Sequence, residues 1–192
     1  MKLYTYIVKH DKGLAPNPFY GCCTLGLCTP NHMGIKASKK DWIAGFTTSA
    51  RGSKLIFAME IAERMHFQDY FHDKRYARKK PILTGTWRQR CGDNIYYIEK
   101  DDWCQLPSPY HYTASHRIKD TKHPYMFISR RFYYFGEKAI ALPNRLKGLI
   151  WTRQGCMSNF EPELVKKFIN WLEMQFDPGK HGEPMDRDAL EC

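Results

Sequence analysis

The sequence predicts an α+β fold: a small, curved β-barrel with short helices and a C-terminal amphipathic helix. Three observations favour it. Apolar and polar residues alternate through 53–61 as in a half-buried strand, residues 161–176 carry an apolar stripe at helical spacing, and the 192 residues include 11 Phe, 5 Trp and 12 Tyr, enough rings for a sizeable core. An open antiparallel sheet with helices on one face is the alternative.

Strands are predicted wherever β-branched and aromatic residues cluster between turn signals. In chain order these segments are 2–8, 41–46, 53–61, 93–98, 125–129, 131–135 and 147–152. Residues 11–34 form a long loop rich in proline and glycine, and 66–71 form a short helix. Structureless connections of that length usually bind something or are disordered, so the loop is a first candidate for function.

The C-terminal helix is predicted over 161–176. Pro162 suits its first turn, and the sequence Asp177-Pro178-Gly179 stops it. We expect one domain over 1–176, because this length is ordinary for a single core. Residues 177–192 are acidic and poor in apolar groups, and we expect a frayed tail there.

Positive charge is concentrated in the first half of the chain. The formal net charge is +10, and residues 1–90 hold 16 basic and 6 acidic side chains. The densest run is Lys74, Arg75, Arg78, Lys79, Lys80, Arg88 and Arg90. Such a run binds phosphates by releasing counterions, which favours nucleic acid as the partner; the alternative is a solvated basic face without a dedicated partner.

Several function classes are excluded by missing motifs. The sequence has no stretch long enough to span a bilayer, no secretion signal and no P-loop, Rossmann, zinc-protease or α/β-hydrolase signature. Its seven cysteines include no Cys-x-x-Cys pair, which is typical of reduced thiols in a cytoplasmic protein. Cys23, Cys28 and His32 lack zinc-site spacing, so we predict no metal and no cofactor.

Residues 15–25 combine prolines, rings and hydrogen-bonding side chains, a composition that suits a loop clasping a base. Rings stack on bases, and amides and hydroxyls read their edges. We predict a base or nucleotide site made by Asn17, Phe19, Tyr20, Thr24, Trp42, Asn94 and Tyr134. The alternative is a self-packed surface loop with Phe19 and Tyr20 in the core. For Asp93 and Asn94 the alternative is an ordinary turn at Gly92-Asp93-Asn94.

Two residues are candidates for catalysis. Cys23 would act as a thiolate beside a histidine such as His32 or His111, and Asp93 would act as an acid or base. No spacing rule places either histidine next to the cysteine, and buried cysteines often serve packing alone.

An ordered series of segments resembles a known family. The series is Ala15-Pro16-Asn17-Pro18-Phe19-Tyr20-Gly21, Cys23-Thr24-Leu25, Asp41-Trp42-Ile43, Lys54 to Met59, Lys80-Pro81, Gly92 to Tyr96 and Phe132 to Gly136. Over 1–145 it is similar to the second type of nucleotide-modification-associated domain. That resemblance implies a role near DNA base modification or nucleotide metabolism in bacteria and phages, and it assigns no catalytic residue. Asp41 to Glu60 also resembles PUA-like barrels such as EVE and YTH modules, which hold modified bases in aromatic pockets.

These observations predict a nucleic-acid or nucleotide binding protein, with an aromatic pocket for a base and the basic run for phosphates. The alternatives are an enzyme that modifies a nucleotide or base, and a structural partner of DNA-modification enzymes. No membrane partner is expected.

Overall fold

A computed structural model describes residues 1–28, 32 and 34–187. The strands are β1 Leu3–Ile7, β2 Cys23–Leu25, β3 Trp42–Phe46, β4 Leu55–Glu60, β5 Glu63–His66, β6 Tyr96–Glu99, β7 Asp102–Gln105, β8 Tyr125–Ser129, β9 Arg131–Tyr134, β10 Cys156–Met157 and β11 Gly179–Lys180. The α-helices are α1 Phe67–His72, α2 Trp87–Arg90, α3 Ala114–Asp120 and α4 Pro162–Gln175. Short 3₁₀ helices cover Ser49–Arg51, Lys74–Lys79, Gly136–Lys138 and Asn144–Leu149.

The strands form open sheets. The main sheet has the order β10-β1-β3-β4-β9-β11, a second sheet has the order β2-β8-β5, and β6 and β7 form a hairpin. β1 runs parallel to β3 and β11 runs parallel to β9, while the other pairs are antiparallel. The predicted α/β mixture is confirmed, but the predicted barrel is wrong: in the described part of the chain no sheet closes, because the main sheet ends in the two-residue strands β10 and β11.

The elements stack in layers around three apolar clusters. α4 covers one face of the main sheet, where Phe168 and Leu172 pack with Trp42 and Tyr133. On the other face the second sheet packs through residues of β2 and β8, and beyond it lies a third cluster shared with α1, the 3₁₀ helix Lys74–Lys79 and β6. The loops that carry the candidate site residues lie in this third, outer layer.

Most predicted strands and the C-terminal helix are confirmed, but residues 147–152 are not a strand. Leu146 and Leu149, three residues apart, are both buried by the 3₁₀ helix Asn144–Leu149, whose repeat of three places them on one face. In a strand, a spacing of three would place the two leucines on opposite faces.

Residues 177–187 lie against the sheet, where a frayed tail was expected. β11 pairs with β9, and the backbone N–H of Asp186 donates to the carbonyl of Asp11 at 2.8 Å. Within the described ranges no helix has both the length and the apolar content that a bilayer crossing requires.

Candidate functional site: a buried polar network and a basic cavity

The loop before β2 is closed by its own backbone. Asn17 and Thr24 exchange two backbone hydrogen bonds, at 2.8 and 3.0 Å, and the side-chain oxygen of Asn17 accepts from the N–H of Phe19. Between them, Tyr20 and Gly21 adopt positive φ values of 61° and 81°, which turn the chain sharply. The loop therefore holds its tip in one conformation.

Lys79 lies inside this loop, although the sequence places it in a basic surface run. Its side chain is 1% exposed, and its ammonium donates to the carbonyl and side-chain oxygens of Asn17, both at 2.8 Å. It also contacts the carbonyl of Cys22 and the hydroxyl of Thr24, both at 3.1 Å. With four acceptors, the ammonium is fully engaged inside the protein, so a phosphate at the surface cannot reach it.

Asp93 completes the network from the other side. One carboxylate oxygen accepts from the Thr24 hydroxyl and the other from the Tyr70 hydroxyl at 2.9 Å. Burial raises the pKa of Asp93, and the nearby charge of Lys79 opposes that rise. Glycine at position 92 lets this segment pass close to the backbone of residues 79–81, since a Cβ there would lie 2.4–2.5 Å from backbone atoms of Pro81 and Lys79.

Four of the predicted site residues lie close together: Asn17, Thr24, Asp93 and Asn94. Their side chains bond to groups inside the protein instead of lining an open pocket. Lys79 contacts Asn17 and Thr24, and the Thr24 hydroxyl links them to Asp93. The side chain of Asn94 donates to the carbonyls of Tyr70 and Tyr76 at 3.0 and 3.2 Å. We call Asn17, Thr24, Tyr70, Lys79 and Asp93 the Lys79 network. It ties the proline-rich loop to the basic run.

The four predicted pocket rings lie in different places. Phe19 packs edge-on against Trp87, with ring centroids 5.5 Å apart, and Tyr20 is half-buried beside it. Trp42 stacks on Tyr133 under α4, while the Tyr134 hydroxyl donates to Asp11 in another cluster. Only Phe19 and Tyr20 are neighbours.

Cys23 is a buried thiol on β2. It is fully excluded from solvent, and burial raises its pKa well above the ordinary value for cysteine. A protonated thiol is a poor nucleophile, so this environment does not activate Cys23. Burial also raises the pKa of Cys91 to about 11.

The rest of the basic run divides into paired and unpaired cations. Arg75 pairs with Glu63 and Asp73, and Arg88 pairs with Glu183. Among the described residues no acid pairs with Lys74, Arg78, Lys80 or Arg90.

Two of these unpaired cations lie over aromatic rings. The Arg78 guanidinium is 4.5 Å from the Tyr20 ring centroid, and the Lys80 ammonium is 3.6 Å from that of Phe71. Phe71 in turn stacks on Tyr97 at 4.4 Å. This face combines positive charge with rings, the two features that bind phosphates and bases.

A cavity of about 610 Å³ opens beside the run. Its lining includes two arginines, Arg90 from α2 and Arg117 from α3, and the polar residues Gln105, Ser108 and Thr113. The volume is within the range of small-molecule sites, roughly 300–1,000 Å³. We call it the Arg90–Arg117 cavity.

The family described as nucleotide modification associated domain 2 matches residues 1–190. The chain belongs to this family. The match extends well past residue 145, where the expected resemblance ended, so α4 lies within the nucleotide modification associated domain. No curated protein and no solved structure matches the chain significantly.

The sequence analysis of this nucleotide modification associated domain did not predict the residues that line the Arg90–Arg117 cavity from segment 105–117. The segment 105–117 carries the same mixture of prolines, rings and hydroxyls that singled out 15–25, and that composition is the signal that could have found it. Behind the wall, His111 Nδ1 lies 2.7 Å from a carboxylate oxygen of Asp120, which also accepts from Tyr96 at 2.9 Å. This buried group fixes the segment to α3.

Proposed function

We propose that this member of the nucleotide modification associated domain 2 family binds a nucleotide, or a base within nucleic acid, in the Arg90–Arg117 cavity. The two arginines lining one cavity are the observation that carries the proposal. Guanidinium groups suit phosphate because they donate paired hydrogen bonds and keep their charge.

The lining of the cavity supports a ligand with both polar and flat parts. Gln105, Ser108 and Thr113 offer hydrogen-bonding groups, and Tyr112, which is 70% exposed, offers a ring at the entrance. A nucleotide combines a phosphate, hydroxyls and a flat base, so it can use all of these groups together.

The basic face extends the proposed site toward longer polynucleotides. α2 joins the two surfaces, since Trp87 contacts Phe19 while Arg90 lines the cavity. In this proposal Tyr20, Arg78 and Lys80 bind the part of a nucleic-acid strand that extends beyond the cavity. Asn17 and Thr24 support the loop from inside, and Asn94 ties α1 to the 3₁₀ helix Lys74–Lys79.

An enzymatic role on a nucleotide or base is the second proposal. The buried pair of His111 and Asp120 directly behind the cavity wall favours it, because a carboxylate that orients an imidazole is a recurring catalytic arrangement. Incubation with a panel of nucleotides, followed by mass spectrometry, separates turnover from binding.

The binding proposal is tested by calorimetric titration with the four deoxynucleoside 5′-monophosphates. We expect Arg90→Ala and Arg117→Ala each to weaken binding by about tenfold or more, because a hydrogen bond to a charged group contributes about 1.5–3 kcal/mol. Lys166→Ala is the control, since Lys166 is exposed on α4 and pairs there with Glu163. Equal binding by the double arginine variant and the wild type would refute the proposal.

A further inference from the structure

Exposed apolar side chains are concentrated around the Arg90–Arg117 cavity. The described part of the chain exposes seven large apolar residues, and four of them lie here: Ile82, Leu83, Tyr112 and Ile118, which are 50%, 48%, 70% and 58% exposed. Leu83 and Tyr112 line the cavity, Ile82 precedes Leu83, and Ile118 follows an arginine of the lining. We call these four residues the apolar rim.

Ordered backbone holds the rim at the cavity. The N–H of Ile82 donates to the carbonyl of Gln89 at 3.0 Å, which fixes the segment before α2 against that helix. On α3, Ala114, Arg117 and Ile118 share one face, because they are three and four residues apart. Ala114 and Arg117 line the cavity, so Ile118 lies on the cavity side of its helix.

The stability of the fold does not explain this exposure. An apolar side chain in water forgoes the free energy of burial, and clustered exposed apolar residues surrounded by polar ones mark a surface that a ligand or partner covers. Met174, which is 81% exposed, is the only large apolar side chain of α4 in the exposed set of the described chain. Single residues of that kind are ordinary on protein surfaces, whereas the rim groups four of them around one cavity.

The charge of the rim segments indicates what covers them. Residues 74–92 and 105–119 contain lysine and arginine but no aspartate or glutamate. A surface that combines cations with apolar side chains complements a polyanion that carries apolar groups. Nucleic acid has both, since its phosphates bind cations and its bases, when unstacked, contact leucine and isoleucine as well as aromatic rings.

The position of two rim residues distinguishes a strand from a single nucleotide. Ile82 and Ile118 lie outside the residues that line the cavity, so a nucleotide held inside it does not need them. In a strand, the bases before and after the held one emerge at the entrance of the cavity. Contact there with apolar side chains replaces the stacking that the held base loses when it leaves its neighbours.

We propose that the Arg90–Arg117 cavity takes one base of a nucleic-acid strand, and that Ile82 and Ile118 contact the bases on either side of it. This inference rests on the proposed function and deepens it, because it names a polynucleotide as the preferred ligand over a free nucleotide.

The test compares two thymidine trinucleotides by calorimetric titration. One carries all three bases, and the other has abasic sites at its first and third positions, so that the phosphates are the same and only the flanking bases differ. We expect the wild type to bind the complete trinucleotide at least about fivefold more tightly, the least that contact with one base contributes.

Ile82→Ser/Ile118→Ser is the decisive variant. Its preference for the complete trinucleotide should fall below about twofold, while its affinity for deoxythymidine 5′-monophosphate stays within about twofold of the wild type. Both positions are exposed, so the melting temperature should be unchanged. Met174→Ser is the matched control, an exposed apolar residue far from the rim in sequence, and should keep the full preference.

Three outcomes would overturn the inference. They are equal affinity of the wild type for the two trinucleotides, which needs no variant, a preference that survives in Ile82→Ser/Ile118→Ser, and an equal loss of preference in Met174→Ser. If the rim variant loses self-association in sedimentation and binds both trinucleotides as the wild type does, the rim is a contact between copies of the chain and the inference is likewise wrong.

Arg90→Ala/Arg117→Ala separates this inference from the proposed function. If that variant loses monophosphate binding while Ile82→Ser/Ile118→Ser behaves as the wild type, the cavity binds nucleotides and only the role of the rim is refuted. If trinucleotide binding depends on the rim and on neither arginine, the base is not held in the cavity and both proposals fail.

Discussion

The ammonium of Lys79 donates to the side-chain oxygen of Asn17 at 2.8 Å, across 62 residues of sequence. This contact joins the proline-rich loop to the basic run, and it leaves the Asn17 amide free to donate to the carbonyl of Cys91 at 2.8 Å. The loop, the run and the Gly92-Asp93 segment are therefore held as one unit.

Lys79→Met is expected to destabilise the fold by about 3–5 kcal/mol, the usual cost of removing one partner from a buried charged network. The Asp93 carboxylate would lose the nearby positive charge that stabilises its ionised form, and the oxygens around Lys79 would lose their hydrogen-bond donor. Urea unfolding followed by tryptophan fluorescence measures the change. Lys80→Met, at the partly exposed neighbouring position, should cost under about 1 kcal/mol. Equal effects of the two substitutions would contradict the structural role of Lys79.

Arg78→Ala is expected to weaken binding of single-stranded DNA at all sequences alike, because phosphate contacts position a strand without reading it. The slope of log affinity against log salt should fall by about 0.7, the value for one phosphate contact on a single strand. Arg75→Ala is the matched control, since Glu63 and Asp73 already neutralise that arginine. Fluorescence anisotropy across a salt series measures both, and an equal loss in the two variants would argue against a phosphate contact at Arg78.

Asp11→Asn is expected to change how stability depends on pH. Burial raises the pKa of Asp11 to about 6 in the folded protein, above its unfolded value of about 3.9. Its stabilising contribution is therefore complete below about pH 4 and is lost as pH rises through about 6. Between pH 4 and pH 7 the variant should gain about 2–3 kcal/mol relative to the wild type, because a pKa difference of one is worth about 1.4 kcal/mol. Urea unfolding at each pH measures this, and parallel curves for the two proteins would refute the shift.

Glu183→Gln is expected to strengthen polynucleotide binding. Glu183 pairs with Arg88 at 2.6 Å and with Lys180 at 2.6 Å, so the C-terminal segment neutralises one arginine of the basic run. Freeing Arg88 adds one cation to the face, and a several-fold gain in affinity at low salt should shrink as salt screens the charge. Glu163→Gln, on the exposed helix α4, is the control. Unchanged affinity would mean that Arg88 does not contact the bound polynucleotide.

Local patterns predicted the elements well. Alternation in 53–61 predicted a half-buried strand; the strand is confirmed as β4, but it is buried on both faces because α4 covers one side of the main sheet and the second sheet covers the other. On β9, Tyr133 and Tyr134 face opposite clusters, as neighbouring residues of a strand do. The apolar stripe predicted at 161–176 is observed as α4, whose apolar residues pack against the main sheet. These signals work because each depends on a few neighbouring residues.

Long-range contacts explain what the sequence could not predict. Nothing local separates Lys79 from Lys80, yet one is buried by acceptors that come from residues 17–24 and the other is not. Sheet closure depends on whether the outer strands meet, and β10 and β11 come from segments that the sequence did not predict as strands. The cavity joins residues near 90, 105 and 117, which only the folded chain brings together.

The most direct measurement is nuclear magnetic resonance of ¹⁵N-labelled protein titrated with deoxynucleoside 5′-monophosphates. If the ligand occupies the Arg90–Arg117 cavity, the largest amide shifts will occur at residues such as Arg90, Ser108, Thr113 and Arg117. Amides of the exposed face of α4 will not move. Saturable binding with its largest shifts outside the cavity, or no saturable shift for any of the four nucleotides, would contradict nucleotide binding at this site.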